Sequence, residues 1–361
     1  MGLLISLQID TRSIIGYILN RIANFSHFLW NFMLTFSQQR IDELLTSVRS
    51  KNIAVIGDVM IDRYIWGSVN RISPEAPVPV VEVESESART GGAANVANNI
   101  TSLGAKAFLI GVVGNDYSGK EFRSILEQQG TSAEGIVTDD ARPTTVKTRV
   151  IAHNQHVVRI DSEEKKDVNE AVQQKIFSVL ERHIQELDAI IIEDYNKGVV
   201  VTSLIRRIID LANTHKKIVT IDPKFHNFFE YTNVTVFKPN KKETEEALGM
   251  KLRTDEEVIA AGKTLLQRLN AETVLLTRSE QGMSLFEKTG SVVHIPTKAR
   301  KVADVSGAGD TVIATLTAMI ASGASFVEAA TLANYAGGIV CGEVGIIPIE
   351  PRTLRTSVLE Q

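Results

Sequence analysis

The chain has 361 residues with 39 basic and 43 acidic side chains, a formal charge of −4. That near balance excludes a protein held to its partner by net charge, so neither a nucleic-acid backbone nor an anionic membrane is expected as the main partner. A 43% hydrophobic content with 23% charged residues excludes dominant disorder, and the single cysteine, Cys341, excludes an intramolecular disulfide and predicts a cytoplasmic setting.

Residues 5–36 are rich in Ile, Leu, Phe and Trp, but Asn20, Arg21, Asn24, His27 and Asn31 interrupt them short of the ~18–20 apolar residues of a membrane span. No stable membrane insertion is expected, and the pattern of a signal peptide is absent. Three readings fit: an amphipathic interface helix, a weakly membrane-associating segment, or non-native sequence upstream of a start at Met33. We favour the last because the α/β pattern begins only after it. Residues 1–50 are therefore set apart as an N-terminal extension, 51–350 form one domain, and 351–361 are a C-terminal tail.

From Lys51 onward, β-branched runs predict strands over residues 52–56, 107–113, 189–193, 217–221, 234–237 and 273–277. Several are almost continuously apolar, as expected where helices cover both faces of a parallel sheet. Between them, helical spacing is clear in Ala93, Val96, Ala97, Ile100 and Leu103. The alternation predicts a doubly wound α/β fold with a mostly parallel sheet. Residues 77–84 alternate apolar with polar, and residues 144–153 and 156–161 read as two strands joined at Asn154–Gln155. These half-exposed strands predict a small β lid, about residues 77–90 and 144–161.

The strongest chemical signal is Asp304-Val305-Ser306-Gly307-Ala308-Gly309-Asp310-Thr311, running into a helical pattern. Small residues let a ligand approach the backbone, and the amides of Gly307, Ala308 and Gly309 at a helix start suit an anion. Asp310 beside that site could take the proton of an attacking alcohol; taken alone, it could equally be a helix cap. Gly91-Gly92-Ala93-Ala94-Asn95 opens a second helix in the same manner. Gly114-Asn115-Asp116-Tyr117-Ser118-Gly119-Lys120-Glu121 approaches a P-loop, but Glu121 stands where a Mg²⁺-binding hydroxyl is required, so it reads as a strand-to-helix turn. None of the seven histidines has a partner at metal or triad spacing.

Together the two glycine motifs resemble the signatures of the ribokinase-like (PfkB) family of carbohydrate kinases, over essentially all of residues 51–350. The resemblance implies that Asp310 is the catalytic base and that Gly307–Gly309 form the anion hole. It also implies that Asn240 and Glu243, in Asn240-Lys241-Lys242-Glu243, organise Mg²⁺ and ATP, Glu243 acting through water. Asp304, Thr277, Arg278, Gly282 and Asn334 are assigned to the nucleotide, and Asp62, Gly91, Gly92 and Asn95 to the sugar. Tyr335, where a smaller residue is expected, bears on the adenine pocket.

The runs 57–64, 71–80 (Arg71-Ile72-Ser73-Pro74-Glu75-Ala76-Pro77-Val78-Pro79-Val80), 194–198 and 277–283 are similar to one branch of that family. Its members phosphorylate O1 of D-glycero-β-D-manno-heptose 7-phosphate in lipopolysaccharide core synthesis. A substrate already phosphorylated needs cations away from ATP, and the candidates are Arg71, Lys147, Arg149, Arg159 and Lys197. Asp194, just after an apolar strand, is read as a sugar contact. Some relatives add a nucleotidyltransferase domain with a His-x-Gly-His motif that this chain lacks, so the expected product is the 1,7-bisphosphate. Dimers are common in the family, and exposed lid edges suit a homodimer. The rival readings are another sugar or sugar-phosphate kinase of the family and a catalytically idle sensor; intact Asp310, Asn240 and Glu243 argue against the second.

Overall fold

The computed structural model describes residues 34–153, 155–298, 302–343 and 345–360. The chain begins with α1 (Gln38–Val48) and enters the main sheet through β1 (Asn52–Gly57). It then forms two long lid strands, β2 (Val59–Ile72) and β3 (Pro79–Gly92), before α2 (Ala93–Ser102), β4 (Lys106–Gly114), α3 (Tyr117–Gln128) and β5 (Ile136–Asp139). A second visit to the lid supplies β6 (Val146–Ala152) and β7 (Gln155–Ser162). After α4 (Glu170–His183) come β8 (Ala189–Glu193), α5 (Thr202–Thr214), β9 (Ile218–Asp222), β10 (Val236–Phe237), α6 (Lys241–Leu248), α7 (Asp255–Leu269) and β11 (Thr273–Thr277). The chain closes with β12 (Met283–Glu287), β13 (Val292–Ile295), α8 (Ala308–Ala321), α9 (Phe326–Val340) and α10 (Pro351–Leu359).

The main sheet has the order β13-β12-β11-β10-β9-β8-β1-β4-β5, parallel except for the β11-β12-β13 edge. Alternate side chains of one strand enter opposite cores. Ile53 and Val55 of β1 join the core under α1, α2, α8 and α9, while Ala54 and Ile56 join the core under α4, α5 and α7. This is why the strands read as unbroken apolar runs. From β1 the connections run outward through β4 and β5, then return to β8 on the other side. The reversal opens a crevice beyond the carboxyl ends of β1 and β8, where ligands bind in such sheets.

The lid is a separate sheet ordered β3-β2-β6-β7. One of its two inner strands, β2, was not expected, because Gly67, Ser68 and Asn70 break the alternation that marks a half-buried strand. Short β5, β12 and β13 also escaped, the last two being a hairpin on the sheet edge. The expected lid turn falls partly on Asn154, outside the described residues. The near-P-loop is a strand-to-helix turn: Asp116 caps α3, accepting from Gly119 N at 2.7 Å, and Glu121 pairs with Arg63.

Residues 1–33, including the segment read as non-native and Met33, lie outside the described residues. Helix α1, which the sequence placed in the extension, buries Ile41, Leu44 and Val48 in the core. It is tied down by Arg40 to Glu328 at 2.7 Å and by Asp42 to Arg355 of α10 at 2.6 Å. Helix α10, placed in the tail, buries Leu354 and Val358 in the same core. Among the described residues, no helix is long and apolar enough to cross a membrane.

Candidate active site

Parallel strands deliver their last residues to one edge of the sheet, and here those residues carry the chemistry. β1 ends beside Asp58, β8 in Glu193 ahead of Tyr195, β9 in Asp222, β10 ahead of Lys238 and β11 in Thr277. Helix α8 aims its amino terminus at the same place. Its cap, Gly307, has φ 76°, a left-handed conformation that favours glycine.

Asp310, in the first turn of α8, is 4% exposed. Asn95 Nδ2 donates to its Oδ2 at 2.7 Å, and the Tyr195 hydroxyl donates to its Oδ1 at 2.8 Å. Burial raises the Asp310 carboxyl to about 6; these two hydrogen bonds oppose the rise, while Asp222 adds to it and Lys238 counters it. A carboxylate poised near neutrality, held from both sides, suits a proton acceptor. The amide of Ala308, expected in the anion hole, is engaged by Val305 O at 3.3 Å. Among the described residues, that leaves the amides of Gly307 and Gly309 of the three. A Cβ on Gly309 would face Asp222 Oδ2 at 3.7 Å and Lys238 Nζ at 3.8 Å, so the amide end of α8 opens onto that ion pair.

Three buried carboxylates, Glu193, Asp222 and Asp310, bring oxygens within 4.8 Å of one another. Both oxygens of Glu193, fully buried, lack a hydrogen-bond partner among the described residues. Burial, then Asp222 and Asp310, push the Glu193 carboxyl well above the usual carboxylate range. Mg²⁺, a hard cation that takes oxygen ligands, fits this donor set. Glu243, the expected metal residue, is otherwise occupied: Oε2 accepts Asn240 N at 2.8 Å and Oε1 accepts Lys224 Nζ at 2.6 Å. Asn240 Oδ1 accepts Glu243 N in return, so the Asn-x-x-Glu motif is a capping box that starts α6 and fixes Lys224. Burial works against the Lys224 charge, but Asp222 and Glu243 outweigh it and raise its pKa.

Beside α8 lies a cavity of about 430 Å³ lined by Thr277, Gly282, Val305, Ala308, Gly309, Asn334 and Cys341 among others. Gly282 has φ 81°, and a Cβ there would collide with Ile295 O. Asn334 holds the wall by donating to Pro296 O at 2.7 Å. Tyr335 is buried and does not line this cavity.

On the lid, register puts Asp62 opposite both Arg89 and Lys147, and Arg149 opposite Tyr64 and Arg159. Side chains directly opposite share a face, so Asp62, Arg89, Lys147, Arg149 and Arg159 form one charged surface. Lys147 Nζ sits 5.3 Å from the Tyr195 ring centre, which turns that surface to the crevice. Gly91 is required beneath it, because a Cβ there would collide with Asp62 Oδ2, and Gly92, at φ 60°, caps α2 where a Cβ would collide with Asp58 O.

A model of the pfkB family carbohydrate kinases matches residues 50–352. The chain belongs to that family. It is 46% identical over 295 residues to the bifunctional protein HldE of Helicobacter pylori strain J99, covering 82% of this chain and 64% of that one. It is 42% identical over 314 residues to the bifunctional protein HldE of Geobacter sulfurreducens, covering 87% and 64%. The chain thus spans a little under two thirds of these relatives. Solved structures share the fold: Arabidopsis thaliana ribokinase complexed with ribose and ATP (TM-score 0.68, 16% identity, 85% of this chain and 98% of that one) and Escherichia coli phosphofructokinase-2 (0.69, 19%, 86% and 99%).

Within this pfkB-family kinase, several expected site residues lie elsewhere. Arg278 turns into the protein, where its guanidinium meets Asp255 at 2.6 Å and Ser284 at 3.1 Å. Asp304 spends its oxygens on Ser306 N and Gly345 N, bracing the loop before α8. Asp194 is 1% exposed and accepts from Asn196 N, Tyr231 and Asn227, so it holds its own loop instead of facing a sugar. Arg71 is exposed near the far end of β2, nine residues and about 30 Å along the strand from Asp62. Lys197 is paired with Glu163, and Arg159, largely exposed, with Asp161. Sequence reasoning missed Asp58, Glu193, Tyr195, Asp222, Lys224, Lys238 and Arg89. Glu193 and Asp222, each ending a predicted or nearly predicted strand, and Lys238, two residues before Asn240, carried a positional signal.

Proposed function

We propose that this kinase transfers the γ-phosphoryl group of ATP to O1 of D-glycero-β-D-manno-heptose 7-phosphate, in the cytoplasm and toward lipopolysaccharide core synthesis. The observation that carries the reading is Asp310, clamped by Asn95 and Tyr195 between the nucleotide cavity and the charged lid face. The identity to proteins named HldE supports the choice of heptose. Asp310 takes the O1 proton as the O1–phosphorus bond forms and the bond to the β,γ-bridging oxygen breaks, its electron pair leaving with ADP. The free amides at the start of α8 and the Lys238 ammonium stabilise charge on the transferring group. Glu193 and Asp222 would hold Mg²⁺, which when bound neutralises phosphate charge. Lys147, and Arg149 held in place by its ion pair with Asp62, bind the 7-phosphate, and the lid excludes water that would hydrolyse ATP.

Exposed apolar residues on the lid, Ile72, Val83, Val158 and Ile160, support a homodimer through that sheet. The deciding experiment measures ADP release with heptose 7-phosphate, fructose 6-phosphate and ribose, beside Asp310→Asn. Turnover with heptose 7-phosphate no greater than with buffer overturns the substrate; an Asp310→Asn protein as active as wild type overturns the base.

A further inference from the structure

Three carboxylates act on the Lys147 ammonium, Asp62, Asp161 and Glu163, and each already holds another cation. Asp62 takes Arg149, Asp161 accepts Nε and Nη2 of Arg159 at 3.0 Å each, and Glu163, directly after β7, takes Lys197. Glu163 differs from the other two in having a second cation. Its Oε2 meets Lys197 Nζ at 2.5 Å as an ion pair without an aligned hydrogen bond, and its Oε1 meets Lys165 Nζ at 3.4 Å. The Glu163 and Lys197 side chains are each 13% exposed, that of Lys165 70%. The backbone around the pair is fixed: Lys197 N donates to Asp58 Oδ2 at 3.1 Å, and Lys197 O accepts Arg142 Nη1 at 2.9 Å. Val168 N donates to Gly198 O at 2.8 Å, and a Cβ on Gly198, at φ 77°, would lie 2.2 Å from Lys166 O. The segments that carry Glu163 and Lys197 therefore pack backbone against backbone, and only the side chains are left to rearrange.

We propose that Glu163 is a displaceable counter-ion: a phosphate monoester dianion takes Lys197 from it and is held by Lys197 and Lys147 together, which makes Glu163 a determinant of selectivity for phosphorylated sugars. The inference rests on reading the lid face as the sugar-phosphate site. Separating a shielded ion pair ordinarily strands a charge. Here Lys165 stays on the carboxylate when Lys197 leaves, and its flexible stem lets it close the 3.4 Å gap. Asp62 and Asp161 have no second ion-pair partner of this kind among the described residues. Lys197 needs only to swing, because it extends from the same loop as Tyr195, whose ring centre lies 5.3 Å from Lys147 Nζ, and its charge is felt at Lys147. A phosphate monoester carries about −1.5 to −2 charge at pH 7 and three acceptor oxygens, so it outcompetes one carboxylate and bridges two ammonium groups. A sugar hydroxyl has no charge to offer and leaves the pair closed. A carboxylate on a sugar meets Glu163 on equal terms.

The test uses inorganic phosphate as the probe. The full chain is saturated with Mg²⁺ and a non-hydrolysable ATP analogue, so that the nucleotide side is filled, and dissociation constants are read by calorimetry at fixed ionic strength. Glu163→Gln keeps the side-chain shape and is expected to tighten phosphate binding about fivefold, because Lys197 no longer has to be released. Lys197→Met is expected to weaken it about tenfold. Loss of any nearby carboxylate favours an anion through the general field, so the double variant decides. In the Lys197→Met background, adding Glu163→Gln should change the constant by less than about twofold. A gain that persists in full in that background overturns the proposal, as does an unchanged constant in Glu163→Gln or the absence of measurable phosphate binding to both wild type and Glu163→Gln. Should either variant fail to fold, Lys165→Met, at an exposed position, is expected to weaken phosphate binding about threefold by stranding Glu163; an unchanged constant there overturns the proposal. Failure of heptose 7-phosphate as substrate leaves the phosphate constants intact, whereas heptose turnover without coupling between Glu163 and Lys197 refutes the exchange alone.

Discussion

Asn95 donates to Asp310 at 2.7 Å although 215 residues separate them in the chain. The bond joins the first turn of α2 to the first turn of α8, and both helices start on a left-handed glycine, Gly92 and Gly307. A Cβ on Gly307 would lie 2.9 Å from Asn95 Nδ2. The two glycine motifs are thus one structural device, in which absent side chains let an amide reach a carboxylate.

Gly307→Ala is expected to push Asn95 off Asp310. Turnover should fall by roughly 10- to 100-fold, and the strained φ should cost about 1 kcal/mol of stability. Steady-state ADP release and a urea unfolding curve measure the two; loss of stability with full turnover would show that the Asn95 contact is dispensable.

Asp310→Asn separates activity from stability. Turnover should drop by about 10²- to 10⁴-fold with the loss of the proposed general base. The protein should nonetheless be at least as stable as wild type at pH 7.5, and by up to about 2 kcal/mol more so, because a buried carboxylate forced to ionise is removed. A urea midpoint clearly below wild type would contradict this.

The same carboxyl makes activity and stability respond oppositely to pH. Asp310 and Asp58 are both raised to about 6 by burial first, Asp58 further by Asp194 and Asp310 further by Asp222. A folded value above the unfolded one, about 3.9, means that the stability these groups contribute is full below the unfolded value. It is lost as pH rises from about 4 through about 6. Turnover, if it needs Asp310 ionised as proposed, should rise through the same window and level off above it. Parallel pH series of kcat and of unfolding midpoint check the crossing.

Lys147→Met tests the charged lid face. Lys147 has no carboxylate in salt-bridge range among the described residues, and burial lowers its pKa while Asp62 pulls it back up, so an anion is its natural complement. KM for heptose 7-phosphate should rise about tenfold or more, while KM for ATP stays within about twofold of wild type. An equal rise in both would place Lys147 outside the sugar-phosphate site.

At the other end of the chain, Leu44→Ala in α1 should cost about 2–4 kcal/mol, the usual loss for a fully buried leucine. A protein beginning at Met33 should retain wild-type turnover. Thermal unfolding and ADP release measure the two, and the contrast locates the boundary between dispensable and required sequence ahead of α1 rather than at residue 51.

Much of the fold was legible because its signals are local. β1, β4, β8 and β11 are short apolar runs whose burial on both faces shows as missing alternation, and Gly92 and Gly307 mark helix starts at a positive φ that favours glycine. β2 was not legible, because a glycine and polar residues sit where its neighbours, not its own sequence, hold it extended. The same limit governed the site. Arg278 and Asp304 stand in the right motifs, but which way a side chain turns depends on Asp255 and Ser284, or on Gly345, none of them in the same motif.

The sequence by itself determined the family, the order of the motifs and the residue type at position 310, since each is carried by short contiguous runs. Only the tertiary structure decided which groups face Asp310. Glu193, Asp222, Lys238 and Tyr195 come from separate strands and loops, and they meet at Asp310 because parallel strands end on one edge of a sheet. The −4 net charge likewise averages over two local fields, the buried cluster of Glu193, Asp222 and Asp310 at the sheet edge and the charged face of the lid. No composition can resolve them, since each is assembled from residues far apart in the chain.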